Sequence, residues 1–242
     1  MKITSNSIVS DVVRENYKTA QIFEENNIDF CCGGNITLHE ASQKSGINVQ
    51  ELISIIEPVM ENADRDSKFI ENLPLDHLCN YIEETHHKYI NDTTPFLQQK
   101  LSKLCSVHGD NHPELFEVKE LFEGAVGNLT AHMKKEELIL FPFIRKLVQA
   151  RGDESVELQK GQGSVFGPIS VMKEEHQVEG DRFAKLSEIT KNYSVPDDGC
   201  GTYEVTYKTL HEFEEDLHRH IHLENNILFP KAIELENELV TG

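Results

Sequence analysis

Two stretches of this 242-residue chain repeat one arrangement of residues that can bind metal. His132-Met133-Lys134-Lys135-Glu136 leads into Leu140-Phe141-Pro142, and His220-Ile221-His222-Leu223-Glu224 leads into Leu228-Phe229-Pro230. A spacing of four puts His and Glu on one face of a helix, about 6 Å apart along the axis. Imidazole nitrogen and carboxylate oxygen both ligate first-row metals. Two such pairs, on helices that face each other, predict a site shared between two ions rather than one.

Helices must position these groups, and the apolar periodicity supplies them. Leu115, Val118, Phe122, Ala125, Leu129, His132, Glu136 and Ile139 recur in steps of three and four, as do Tyr203, Thr206, Leu210, Phe213, Leu217, His220, Glu224 and Ile227. In both stripes His and Glu take core positions. Leu78, Ile82, His86 and Tyr89 form another stripe, which resumes past Pro95 as Leu97, Leu101, Leu104 and His108. Pro95 is expected to kink or break that helix. Pro113 suits a first helical position, and Pro168 starts a helix with Ile169, Met172, His176, Gly180, Phe183 and Leu186 on one side. The stretch from about Arg151 to Phe166 reads as a long connection, and Pro196-Asp197-Asp198-Gly199 as another loop.

Magnitudes favour metal over plain burial. A buried carboxylate without a partner costs several kcal/mol, and an unsatisfied imidazole about 1–3 kcal/mol. A domain with a net stability of about 5–15 kcal/mol could not carry Glu136, Glu224 and five such histidines unsatisfied. His77, His87, His112, His211, His218 and His222 fall off the stripes and are expected on polar faces or in loops.

Residues 1–60 form a small three-helix module of their own. Ser10-Asp11 can cap a helix through about Asn26, Thr37-Leu38-His39-Glu40 has the capping-box arrangement, Gly46 ends that helix, and Asn48 starts a third. Between the first two lies Asp29-Phe30-Cys31-Cys32-Gly33-Gly34. Adjacent cysteines cannot bridge without strain, so Cys31 and Cys32 read either as thiols presented on a turn or as small buried hydrophobes. Met60 to Asn72 is polar and suits a linker, and residues 72–242 follow as the larger unit.

The formal charge of −19, from 23 basic and 42 acidic residues, repels nucleic acid and anionic lipid. There is no apolar run of membrane-spanning length and no start resembling a signal peptide, so a cytoplasmic location is expected. Five cysteines at irregular spacing make no disulfide framework, and neither CxxC nor HExxH occurs. Five imidazoles with two carboxylates exceed what one tetrahedral zinc needs. A carboxylate-bridged pair of irons fits; with oxo or hydroxo bridging, about eleven of about twelve octahedral places are filled, leaving about one for a small molecule.

With these motifs in place, the chain resembles the hemerythrin-like di-iron proteins for repair of iron–sulfur clusters, the ScdA/YtfE type. Asp29 to Gly34 followed by Thr37-Leu38 is similar to that family's N-terminal module. Gly167 to Met172 running to His176 is similar to its central helix, and His220 to Pro230 to its last. The resemblance implies an all-α fold, the N-terminal module followed by an up-down helical bundle. It implies two iron ions held by His86, His108, His132, Glu136, His176, His220 and Glu224, with the two glutamates bridging. It also implies damaged iron–sulfur proteins as partners, iron supply as the means of repair, and a role for Cys31 and Cys32 in docking or in accepting iron or electrons. A carrier or sensor of oxygen or nitric oxide, a di-iron nitric oxide reductase, and a zinc or metal-free acidic scaffold are the competing readings; a homodimer stays open.

Overall fold

In the computed structural model, residues 1–62, 64–153 and 164–241 are described, and the named elements among them are helical. The residues divide into two compact units, 1–78 with 221–242, and 79–220.

In the first unit the capping residues act as their types dictate. Thr37 accepts from the Glu40 backbone N–H while the Glu40 carboxylate accepts from the Thr37 N–H, starting α3 (Leu38–Ser45), which Gly46 ends at φ 82°. Asn48 accepts from the Gln50 and Glu51 N–H groups to start α4 (Val49–Met60). The expected single helix from Ser10 to Asn26 is instead α1 (Val9–Glu15), a 3-10 turn (Tyr17–Thr19) and α2 (Ala20–Glu25). Asn16 causes the break: its backbone is extended, its side chain caps the Lys18 N–H, and its amide donates to the Val59 and Asn62 carbonyls. The polar stretch after Met60 is not a plain linker either, because Asp64 caps α5 (Arg65–Glu71) and accepts from the buried Ser67 hydroxyl at 2.6 Å.

The described residues of 79–220 are built on four long helices. The helix begun by α6 (Leu75–Ile82) passes through a π-helical turn (Glu83–His87) into α7 (Lys88–His108), and α8 is Glu114–Lys135. A second π turn (Glu136–Leu140) leads to α9 (Phe141–Gly152), followed by α10 (Phe166–Ile189) and α11 (Gly201–Leu223). Most of the long connection expected before α10 lies outside the described residues. The contacts give an up-down register. Lys185 meets Glu117, Asn128 meets Glu179 and His132 meets Glu175 between α8 and α10. Tyr89 meets Phe213 and His108 meets Cys200 between α7 and α11.

Pro95 does not break α7. It leaves the Asn91 carbonyl without its helical donor, but Asn91 is exposed and water can serve it. The apolar centre is an aromatic layer in which Phe213 meets Phe122 (5.4 Å), Phe183 (5.8 Å) and Tyr89 (6.1 Å). Phe213→Ala is expected to cost about 3–5 kcal/mol in a denaturant titration. No helix among the described residues is long and apolar enough to cross a membrane.

Candidate metal centre

Glu136 stands where α8 gives way to its π turn, with no exposed surface. Neither carboxylate oxygen has a hydrogen-bond partner. Each oxygen instead faces imidazole nitrogen on its own side. Oε2 is 3.3 Å from His87 Nε2 and 4.0 Å from His220 Nε2, while Oε1 is 3.3 Å from His132 Nε2. His176 Nε2 lies 3.1 Å from His132 Nε2. The ligand atoms of His87, Glu136 and His220 lie within 4.8 Å of one another, and so do those of His132, Glu136 and His176. Each group can hold one cation, and the two share one carboxylate.

The outward nitrogens of two of these rings are fixed by carboxylates. His87 Nδ1 is 2.8 Å from Glu137, and His132 Nδ1 is 2.9 Å from Glu175. A ring that donates from Nδ1 turns the lone pair of Nε2 inward, the tautomer a metal needs. Burial alone would raise the Glu175 pKa, but its bonds from Lys135 and His132 outweigh that and hold it low. Burial, reinforced by His87, pushes the His220 pKa well below the ordinary imidazole value. His220 therefore stays neutral and able to ligate. Glu175→Ala is expected to weaken metal binding roughly 10–100-fold in a chelator competition, because His132 loses its orienting partner.

The sequence places His86 in this site; the structure places His87 there. The π turn at Glu83–His87 holds one residue more than an α turn, so the inward stripe runs Leu78, Ile82, His87, Ile90. His86 is also buried, with Nδ1 2.9 Å from Asp216 and its ring stacked on His220 at 5.6 Å, but it belongs to neither ligand group. Counting back from Leu97 by seven and then three reaches Ile90 and His87, a signal the forward count misses. The π turn at Glu136–Leu140 has the same effect on Ile139, which is 57% exposed while Leu140 is buried.

His108 is not in the site. It ends α7, the helix that His87 precedes, and its Nε2 is 3.3 Å from Cys200 Sγ. The length of that helix, about 1.5 Å per residue over twenty-one residues, separates it from the cluster.

In the other unit, Glu224 opens a third π turn (Glu224–Leu228), which leads to α12 (Phe229–Thr241). It is fully buried, one turn past His220 on the same helical run. Around it the cysteine turn is held in place. The Asp29 carboxylate accepts from the N–H groups of Cys31 (3.0 Å), Cys32 (2.9 Å) and Gly33 (2.7 Å). Asn225 donates to the Cys31 carbonyl at 3.0 Å and Asn226 to that of Phe30 at 3.3 Å. Gly34 is required, since a Cβ there would collide with the Phe30 carbonyl. The two sulfurs are 3.8 Å apart, with Cys31 buried and Cys32 half-buried. The bond with Cys32, then burial, push the Cys31 thiol well above its usual value, so it is protonated at neutral pH. His222, expected on a polar face, is buried beside Tyr17 and Phe30.

The hemerythrin HHE cation binding domain family matches residues 80–232. A domain of unknown function (DUF542) matches residues 5–59. Among curated proteins, the iron-sulfur cluster repair protein ScdA of Staphylococcus haemolyticus (strain JCSC1435) is 30% identical over 230 residues, 95% of this chain and 99% of the relative. The iron-sulfur cluster repair protein YtfE of Yersinia pseudotuberculosis (serotype O:1b) is 32% identical over 217 residues, 89% of this chain and 91% of the relative. The chain belongs to this ScdA and YtfE family of hemerythrin-like iron–sulfur cluster repair proteins.

Proposed function

We propose that the protein binds two iron ions and takes part in the repair of damaged iron–sulfur clusters. The observation that carries the reading is Glu136, a fully buried carboxylate whose two oxygens face separate sets of imidazoles. A lone buried carboxylate costs several kcal/mol, and cations on both sides remove that cost. His87 and His220 would hold one ion and His132 and His176 the other, with Glu136 offering one oxygen to each.

Glu224 is proposed as the second bridge. It repeats the His-x-x-x-Glu offset of Glu136 and, like Glu136, is fully buried. With the same oxo or hydroxo bridge, four histidines and two bridging glutamates fill about ten of about twelve octahedral places. More places stay open to small molecules or departing iron than the seven-residue set would leave. The bound pair would supply exchangeable iron to a damaged cluster. Around it, Glu137 and Glu175 orient the imidazoles and the Phe141 ring stacks on that of His87. The cysteine turn is a docking or acceptor element for the client, with half-buried Cys32 its accessible thiol.

The test is recovery of a cluster enzyme inactivated by a nitric oxide donor or peroxide. Metal-loaded protein is expected to restore its activity. Recovery no better than with the Glu136→Leu, Glu224→Leu double variant rejects repair. Reversible oxygen or nitric oxide binding without recovery would favour a carrier.

A further inference from the structure

A second cluster of reactive groups lies at the other end of α7, within residues 79–220. Cys200 is exposed and directly precedes Gly201, the first residue of α11, and its sulfur is 3.3 Å from His108 Nε2. Tyr203 packs edge-on against both His108 (5.5 Å) and His112 (5.8 Å), fixing the two rings beside the thiol. His112 is held in turn by Asp198 at 2.8 Å and Glu114 at 3.0 Å. A nucleophile within reach of a base, the base oriented by a third group, is the arrangement by which thiols are activated. The centre at Glu136 makes no use of any of these residues.

The electrostatics agree with the geometry. His108, then the N–H groups of Tyr203 and Thr202 at the start of α11, bring the Cys200 thiol down to about 7. The bonds to Asp198 and Glu114 raise the His112 pKa, which favours a cation there near neutrality. The other cysteines differ: Cys31, Cys79 and Cys105 are buried and Cys32 is half-buried. In contrast to Cys200, Cys31 and Cys105 have raised pKa values.

We propose that Cys200 and His108 form a thiol–disulfide exchange site for low-molecular-weight disulfides, so that the protein carries a reversible mixed disulfide at Cys200. His108 takes the thiol proton. The Cys200 thiolate attacks one sulfur of the disulfide, a bond forms between those two sulfurs, and the original S–S bond breaks. Its electron pair leaves on the second sulfur, which takes the proton from His108. The small disulfide is the oxidant: half of it is released as thiol, and Cys200 is oxidised to the mixed disulfide. The step restores His108 to its starting state.

The probe is glutathione disulfide with the reduced, metal-loaded, full-length protein, followed by peptide mass mapping across pH. An adduct forming first at Cys200, with a rate midpoint near pH 7, is expected. In His108→Gln that midpoint moves up. The rate at pH 7 falls by up to about fivefold, since the lost thiolate fraction is partly offset by a more basic and more nucleophilic sulfur. Cys200→Ser removes the adduct without touching His108. A first adduct at another cysteine, or the same midpoint in His108→Gln, overturns the proposal. Iron content, measured in parallel, reports only on the centre at Glu136 and is expected to be unchanged in both variants.

Discussion

Glu136→Leu should yield protein with iron near background, and its metal-free form should be more stable than the metal-free parent. Both effects follow from one carboxylate. It faces His87 and His220 with one oxygen and His132 with the other, so its loss removes a ligand from each group. Without metal, the parent carries a buried carboxylate whose oxygens accept no hydrogen bond. Replacing such a charge by an apolar side chain of similar size is commonly neutral or stabilising by about 1–4 kcal/mol. Iron analysis and denaturation of the metal-free proteins test the two halves separately. A structural glutamate would give the opposite stability change, with the variant melting below the parent.

The second large effect separates two adjacent residues. His87→Leu is expected to lose the ion shared with His220 and to retain the one at His132 and His176, whereas His86→Leu keeps both. The same measurement on His108→Leu is expected to show full iron content, since His108 faces Cys200. Iron per chain, with Mössbauer spectra of the isotope-enriched protein, reads all three. Full iron in His87→Leu with loss in His86→Leu would restore the uninterrupted α-helical register.

That contrast shows where the sequence was legible. Thr37, Asn48 and Gly46 start and end their helices through local chemistry, and the structure follows them. The three-and-four stripes through α8, α10 and α11 put His132, Glu136, His176 and His220 on inward faces, and all four are buried. The misses come from events that a regular period cannot record. A π turn adds one residue to a turn, which moves His87 inward and Ile139 outward. Asn16 splits the first helix because its side chain binds the backbone of a segment more than forty residues away. Pro95 is tolerated because the carbonyl it orphans is on the surface. His108 shares the α7 stripe with Leu101 and Leu104, yet a stripe fixes the face of a helix and not the height along it.

Three π turns occur among the described residues. They lie at Glu83–His87, Glu136–Leu140 and Glu224–Leu228, so each contains or begins with a proposed ligand. Such turns are uncommon in helices and collect at functional sites, where the extra residue aims a side chain that the regular helix would misplace. Phe141-Pro142 and Phe229-Pro230 follow the last two. A proline at the second position after the turn has no N–H to return to the preceding α-helical ladder, which favours the break.

Anomalous diffraction at the iron edge, on crystals of the metal-loaded protein, tests the bridging role of Glu136 most directly. Two peaks are expected, one beside Oε2 with His87 and His220, the other beside Oε1 with His132 and His176. A single peak, no iron, or a peak at His86 or His108 would contradict it.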